Sequence, residues 1–159
     1  ERARRIVGTT PALENIATLV APPASPMDEG AWTRRIVEGA GAPMLLDLHN
    51  LYANALNAGI EPVALLDTMP LASVRLVHLS GGRWLRPPGL APRLLDDHLH
   101  DVPDPVYTLL ETLAARVPQP LTVILERDGE FPAMAHLVSQ LVRAREALAS
   151  GRRLARRAA

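Results

Sequence analysis

Four short apolar runs, each closed by a glutamate, aspartate or histidine, alternate along this chain with segments of helical periodicity. The runs are Thr10 to Ile16, Met44 to Leu48, Val74 to Leu79 and Leu121 to Leu125, and their metal-competent residues are Glu14, Asp47, His78 and Glu126. Between them, Met27-Asp28-Glu29 opens a helix that runs to about Ala40 and is stopped by Gly39 and Gly41. Glu61-Pro62 opens another, with Val63, Leu65, Leu66 and Met69 at helical spacing and Pro70 at its end. Pro103-Asp104-Pro105 leads into a helix from Val106 to Arg116, with Asp104 as the expected cap, and a last helix runs from Pro132 to about Ser150. Strands that alternate with helices predict βα units and parallel strands. In such folds the active site forms at the carboxyl ends of the strands, where all four of these residues stand.

The densest stretch is Met44-Leu-Leu-Asp-Leu-His-Asn-Leu-Tyr52. If the strand continues through it, alternation puts Asp47 and His49 on one face, with Asn50 beside them. The competing reading makes Asp47 or Asn50 the cap of a helix around Tyr52 to Asn57, and His49 a loop hydrogen-bonding group. Farther on, the irregular stretch from Arg83 to Val102 carries Asp96-Asp97-His98-Leu99-His100-Asp101. On an extended segment Asp96 and His98 point to the same side and can address one ion. His100, Asp101 and His136 read as loop and surface groups.

Composition narrows the chemistry. There is no cysteine, which excludes disulfides, thiolate metal sites and a cysteine nucleophile, and every one of the 17 basic residues is arginine, which excludes a Schiff-base lysine. A metal here must be held by imidazole and carboxylate, a donor set that suits iron, manganese or zinc. Between residues 6 and 150, 16 acidic side chains stand against 10 arginines, so a nucleic-acid surface is not expected. No apolar run approaches the ~20 residues of a membrane span, and a cytoplasmic location is the default expectation. The chain opens on Glu1 and the end of a helix, Arg2 to Val7, which reads as a chain missing its beginning. Residues 1–150 read as one domain, and 151–159 as an Arg-rich, solvated tail.

Five separated motifs carry a resemblance. Leu13-Glu-Asn15, Leu45-Leu-Asp-Leu-His-Asn-Leu-Tyr52, Val77-His-Leu-Ser-Gly81, Leu95-Asp-Asp-His98 followed by Val102-Pro-Asp-Pro-Val106, and Leu125-Glu-Arg-Asp128 resemble, in order and spacing, the DUF692 family of MbnB-like multinuclear iron oxidases. The resemblance implies a TIM-barrel, (β/α)8-type α/β fold, of which this chain supplies about four βα units forming the C-terminal half. It implies two or three iron ions held by Glu14, Asp47, His78, Asp96, His98 and Glu126. His49 and Asn50 would be additional ligands or outer contacts, and Arg127 and Asp128 outer contacts. His49 stands where the family commonly has Asn, and Gly82 where it commonly has a second His.

What the resemblance implies about function is an iron-dependent oxidase or oxygenase that modifies peptide side chains in natural-product biosynthesis. A partner protein would present the precursor peptide, and a missing N-terminal half or a second chain would close the barrel. Two alternatives stand beside it. One is a divalent-metal isomerase or phosphodiesterase-like barrel, for which Ser80-Gly81-Gly82-Arg83 is the only candidate phosphate loop. The other is a degenerate, non-catalytic half-barrel acting in assembly.

Overall fold

A computed structural model describes residues 2–18 and 24–158. Its elements run α1 (Arg2–Val7), β1 (Leu13–Glu14), α2 (Glu29–Ala40), β2 (Met44–Asp47), α3 (Leu48–Ala58), α4 (Pro62–Thr68), β3 (Val74–Leu79), β4 (Gly82–Leu85), β5 (Arg93–Asp96), α5 (Asp104–Arg116), β6 (Thr122–Leu125) and α6 (Met134–Ala158). Of the Pro-rich loop expected at Ala21 to Pro26, positions 21–23 lie outside the described residues. No helix among the described residues is long and apolar enough to cross a membrane.

The four expected strands form one parallel sheet in the order β1-β2-β3-β6. This is a mixed α/β architecture compatible with part of a (β/α)8 barrel. Alternation splits the sheet into two unlike faces. Leu46, Val77 and Leu79 are at most 1% exposed and join Leu48, Leu51, Leu66, Leu110 and Leu113 in one core shared with α3, α4 and α5. The opposite face carries Leu45, Asp47, Leu76, His78 and Ile124. There Leu45 and Leu76 are half-buried and Ile124 is 40% exposed.

Among the described residues β1 and β6 each pair on one side only, so both ends of the sheet present open backbone edges. Full burial of one more leucine or isoleucine is worth roughly 1.5–3 kcal/mol. The 159-residue chain by itself is therefore expected to self-associate, and light scattering over a concentration series should show mass rising with concentration. A monodisperse monomer at all concentrations would contradict this.

Three elements differ from the sequence expectation. The stretch expected to be irregular holds a hairpin, β4 paired antiparallel with β5. Asp104 is not the cap of α5: Pro103 takes that position, and the Asp104 carboxylate pairs with Arg143 at 2.8 Å. The last helix continues past Ser150 to Ala158, so the Arg-rich end is helical. Arg152 bonds the carbonyls of Val117 and Gln119, which holds this end of α6 to the exit of α5.

Candidate metal centre

The sheet register sets the site. Asp47 and His78 are partners across β2 and β3, and Glu126 continues β6, its N–H donating to Leu79 O at 2.9 Å. Glu14 closes β1 beside them. One ligand atom from each of Glu14, Asp47, His78 and Glu126 lies within 4.8 Å of all the others. A second set, His98, Glu126 and Asp128, meets the same criterion and shares Glu126. Five of the six residues expected as ligands thus fall into these two sets, and Asp128, expected only as an outer contact, joins them.

Asp47 unites two readings that the sequence leaves as alternatives. It is the N-cap of α3, its Oδ1 accepting from Asn50 N at 2.6 Å. Its Oδ2 is buried without a hydrogen-bond partner. The cap fixes one oxygen and leaves the other for the site. Asn15 locks the same residue from the side: its amide donates to Asp47 O at 3.0 Å and accepts from Asp47 N at 2.9 Å, continuing the β1–β2 pairing by side chain. Asn50 donates to Asn15 O at 3.1 Å, and its own Oδ1 is buried without a partner.

Because α3 starts at Leu48, directly after the strand, His49 does not share the strand face of Asp47 as alternation predicts. It turns instead to Asp96, Nδ1 to Oδ1 at 2.6 Å, and is fully buried. Asp96 is held on its other oxygen by His98 Nε2, also at 2.6 Å, and Ser80 Oγ donates to Oδ1 at 3.2 Å. Asp96 is absent from both sets of clustered ligand atoms. Both its oxygens face imidazoles, so it stands behind His98 and orients that ring. With Nε2 turned to Asp96, His98 Nδ1 lies 3.6 Å from Glu126 Oε2 and 3.4 Å from Asp128 Oδ2. An imidazole whose far nitrogen is held by a carboxylate is the usual arrangement of a metal-binding histidine.

His98 adopts φ 55°, the left-handed region that costs a non-glycine residue energy. Two backbone bonds hold it there, His98 N to Gly81 O and Asp128 N to His98 O, both 3.0 Å. The clamp ties together three loops that follow β3, β5 and β6. Arg127 does not face the centre. Its guanidinium donates to Gly129 O and Glu130 O, both at 2.7 Å, and braces the loop that carries Glu126 and Asp128.

The electrostatics are those of a crowded carboxylate site. Burial, with the nearby Asp96 and Glu14 charges adding to it, pushes Asp47 up to about 7, against the opposing Asn50 N–H and His98. Burial works the same way on Asp96, but bonds and charge from His49 and His98 prevail and hold it below the usual carboxylate range. His98 is raised: burial opposes its charge, and Asp96, Glu126 and Asp47 outweigh that.

A cation fits this arrangement. His98 Nδ1, Asp47 Oδ2 and Glu126 Oε2 are all buried without a hydrogen-bond partner. Glu126 Oε2 lies 2.8 Å from His78 Nδ1 without hydrogen-bonding geometry. Buried polar atoms that converge unpaired are costly unless a ligand satisfies them, and nitrogen with carboxylate oxygen is a transition-metal donor set.

The profile of the RiPP precursor modification enzymes MbnB/TglH/ChrH matches residues 1–149. The chain belongs to this family. Among individual members, a UPF0276 protein of Streptomyces avermitilis is 38% identical over 86% of the chain and 27% of its own length. UPF0276 proteins of Bordetella pertussis and Shewanella amazonensis are each 35% identical, over 98% and 92% of the chain and 53% and 50% of their own lengths. The chain therefore spans about half the length of these two family members, and less of the first.

His49 and Gly82, the two positions at which the sequence departs from the resemblance, are one feature in space. A Cβ on Gly82 would lie 2.6 Å from His49 Cε1 and 1.9 Å from Leu95 O. The His49 ring occupies the room that a side chain at 82 would need. The phosphate-loop candidate, Ser80 to Arg83, is engaged in the same packing. Ser80 is engaged with Asp96, a Cβ on Gly81 would lie 2.3 Å from Asp101 O, and Arg83 pairs with Asp97 at 3.3 Å. His100 and His136 pair with Asp97 and Asp101, away from the centre, as loop and surface groups do. Sequence reasoning missed the bracing by Asn15 and Ser80. The signal open to it was that each adjoins a ligand or its strand, Asn15 after Glu14 and Ser80 two residues past His78.

Proposed function

We infer that this chain is the metal-holding part of an iron-dependent oxidative enzyme that modifies side chains of a ribosomally made precursor peptide. The observation that carries the reading is the pair of ligand sets joined through Glu126, with buried, unpaired donor atoms converging between them. The description of the family as precursor modification enzymes supports the peptide as substrate. Glu14, Asp47, His78 and Glu126 would hold one ion, and His98, Glu126 and Asp128 a neighbouring one. Two iron ions are the minimum that the two sets call for, and manganese or zinc are the substitutes this donor set would also take.

Bound iron would supply the redox chemistry toward dioxygen that no side chain of this chain provides. The chain's own residues prepare the site. Asp96 holds His98 Nε2 so that Nδ1 faces Glu126 and Asp128, and the helix cap fixes Asp47 with one oxygen free; burial favours a proton on Asp47, which would have to leave for Asp47 to hold a metal. The rest of the barrel would close the sheet edges, and a partner protein would present the precursor.

The test is anaerobic loading of the intact protein with ferrous iron, then exposure to precursor peptide and dioxygen. Mass spectrometry should show an oxidative mass change on the peptide that is lost with Asp47→Asn. Modification at full rate with zinc alone would overturn the oxidative reading.

A further inference from the structure

The hairpin that leaves the site between His78 and Asp96 has one closed edge and one open edge. On β5 the Asn57 side chain accepts from Leu94 N at 2.8 Å and donates to Leu94 O at 2.9 Å, standing in for a neighbouring strand. Both backbone groups of Leu94 therefore point away from β4. Leu94 is the register partner of Trp84, so the two form a pair without mutual backbone bonds, and the N–H and C=O of Trp84 must point outward on the far side. No other strand among the described residues pairs with β4.

This open edge has a distinct chemistry. Trp84 is 46% and Leu85 37% exposed. From Gly82 to Leu95 the hairpin has no acidic residue; Arg83 pairs with Asp97 and Arg93, on β5, donates to Asn57 O, while Arg86, just past β4, has no ion pair among the described residues. At its base the hairpin delivers Asp96 to His98. A chain lying along β4 toward Gly82 would arrive at the centre.

The geometry points to β4 as the docking strand for the substrate: an extended, acidic segment of a peptide that adds to the hairpin as a third strand, bonding the Trp84 backbone while a carboxylate faces Arg86. This rests on the peptide reading above and deepens it. Backbone pairing supplies affinity without demanding a fixed sequence, and the exposed Trp84 and Leu85 supply an apolar contact for alternate side chains.

The test uses the intact, iron-loaded protein and a fluorescein-labelled peptide of about ten alternating Thr and Val residues with a pair of Asp, followed by anisotropy. Two control peptides carry N-methyl groups on alternate residues, or Lys in place of Asp. The plain peptide should bind, and each control should bind about tenfold more weakly or worse. Trp84→Pro should lose binding to the same extent while keeping its iron. An edge residue whose N–H points outward tolerates proline, so the hairpin and centre should persist. Trp84→Val keeps the N–H and should retain more binding than the proline variant. No anisotropy rise, equal binding of the methylated peptide, or unchanged binding by Trp84→Pro overturns the proposal. So does slow hydrogen exchange at the Trp84 amide before peptide is added, which would mean that another segment or a second copy already covers the edge. Elemental analysis of the same samples reads the metal centre separately, so loss of iron and loss of peptide binding are distinguishable.

Discussion

Replacing Glu126 with glutamine should empty both ligand sets at once and weaken iron binding by at least about 100-fold, while the stability of the metal-free protein changes by no more than about 1 kcal/mol. Glu126 is the residue common to the two sets, and its Oε2 lies 2.8 Å from His78 and 3.6 Å from His98. Loss of an outer hydrogen-bonding partner typically weakens metal binding about 10- to 100-fold, so loss of a shared ligand should reach at least the upper end. Without metal the effects oppose each other: Glu126 crowds Glu14 and Asp128 but attracts His98, whose charged form it favours, so its removal should change stability by no more than about 1 kcal/mol. Isothermal titration with ferrous iron and thermal unfolding of the metal-free protein read the two effects separately. A purely structural Glu126 would lower both together, and that result would count against the centre.

The pH dependence of stability should change sign when metal is added. Asp47 titrates at about 7 in the fold against 3.8 ordinarily, so between those values the folded state keeps a proton that the unfolded state has lost. Stability contributed by this group therefore falls as pH rises through that window. His98, raised above 6.5 in the fold, extends the fall to higher pH. Asp96, held below 3.8, contributes stability that is lost only in stronger acid, so it leaves this window flat. Metal binding inverts the slope because it requires Asp47 without its proton and His98 neutral at Nδ1. The metal-free protein should melt higher at about pH 5 than at about pH 8, and the iron-loaded protein the reverse. Asp47→Asn keeps an N-cap acceptor but removes the proton, so both slopes should flatten. Circular dichroism melts with and without metal check this, and slopes of the same sign would refute it.

Much of this was readable from the sequence, for identifiable reasons. Parallel strands are apolar and short, so Val74 to Leu79 stands out with both ends as observed, and Asp28 announces α2, where it accepts from Ala31 N at 2.7 Å. The strand ends carry the clustered carboxylates and imidazole because backbone pairing stops there, which is why Glu14, Asp47, His78 and Glu126 could be named together. His49 was placed on the wrong element because periodicity does not report the length of the connection between strand and helix. Here that length is zero, since Asp47 ends β2 and caps α3 at once.

The hairpin escaped because its two strands are four residues each, β4 mostly exposed and β5 mostly not, and separated by Pro87, Pro88 and Gly89, so they show no alternation strong enough to count. The length of α6 escaped for a packing reason. Gly151 lies within the helix where it crosses α5, and a Cβ there would lie 2.1 Å from Glu111 O. Asp96 was expected as a ligand beside His98; it lies outside both clustered sets, because the fold brings His49, 47 positions earlier, onto one of its oxygens.

The most direct measurement is anomalous diffraction at the iron edge from crystals of the intact protein loaded with ferrous iron. The account predicts peaks within about 2.0–2.4 Å of donor atoms from Glu14, Asp47, His78 and Glu126, and from His98, Glu126 and Asp128, with Asp96 bonded to the two imidazoles. Iron absent from these residues in fully loaded protein, or bound elsewhere on the chain, would contradict it.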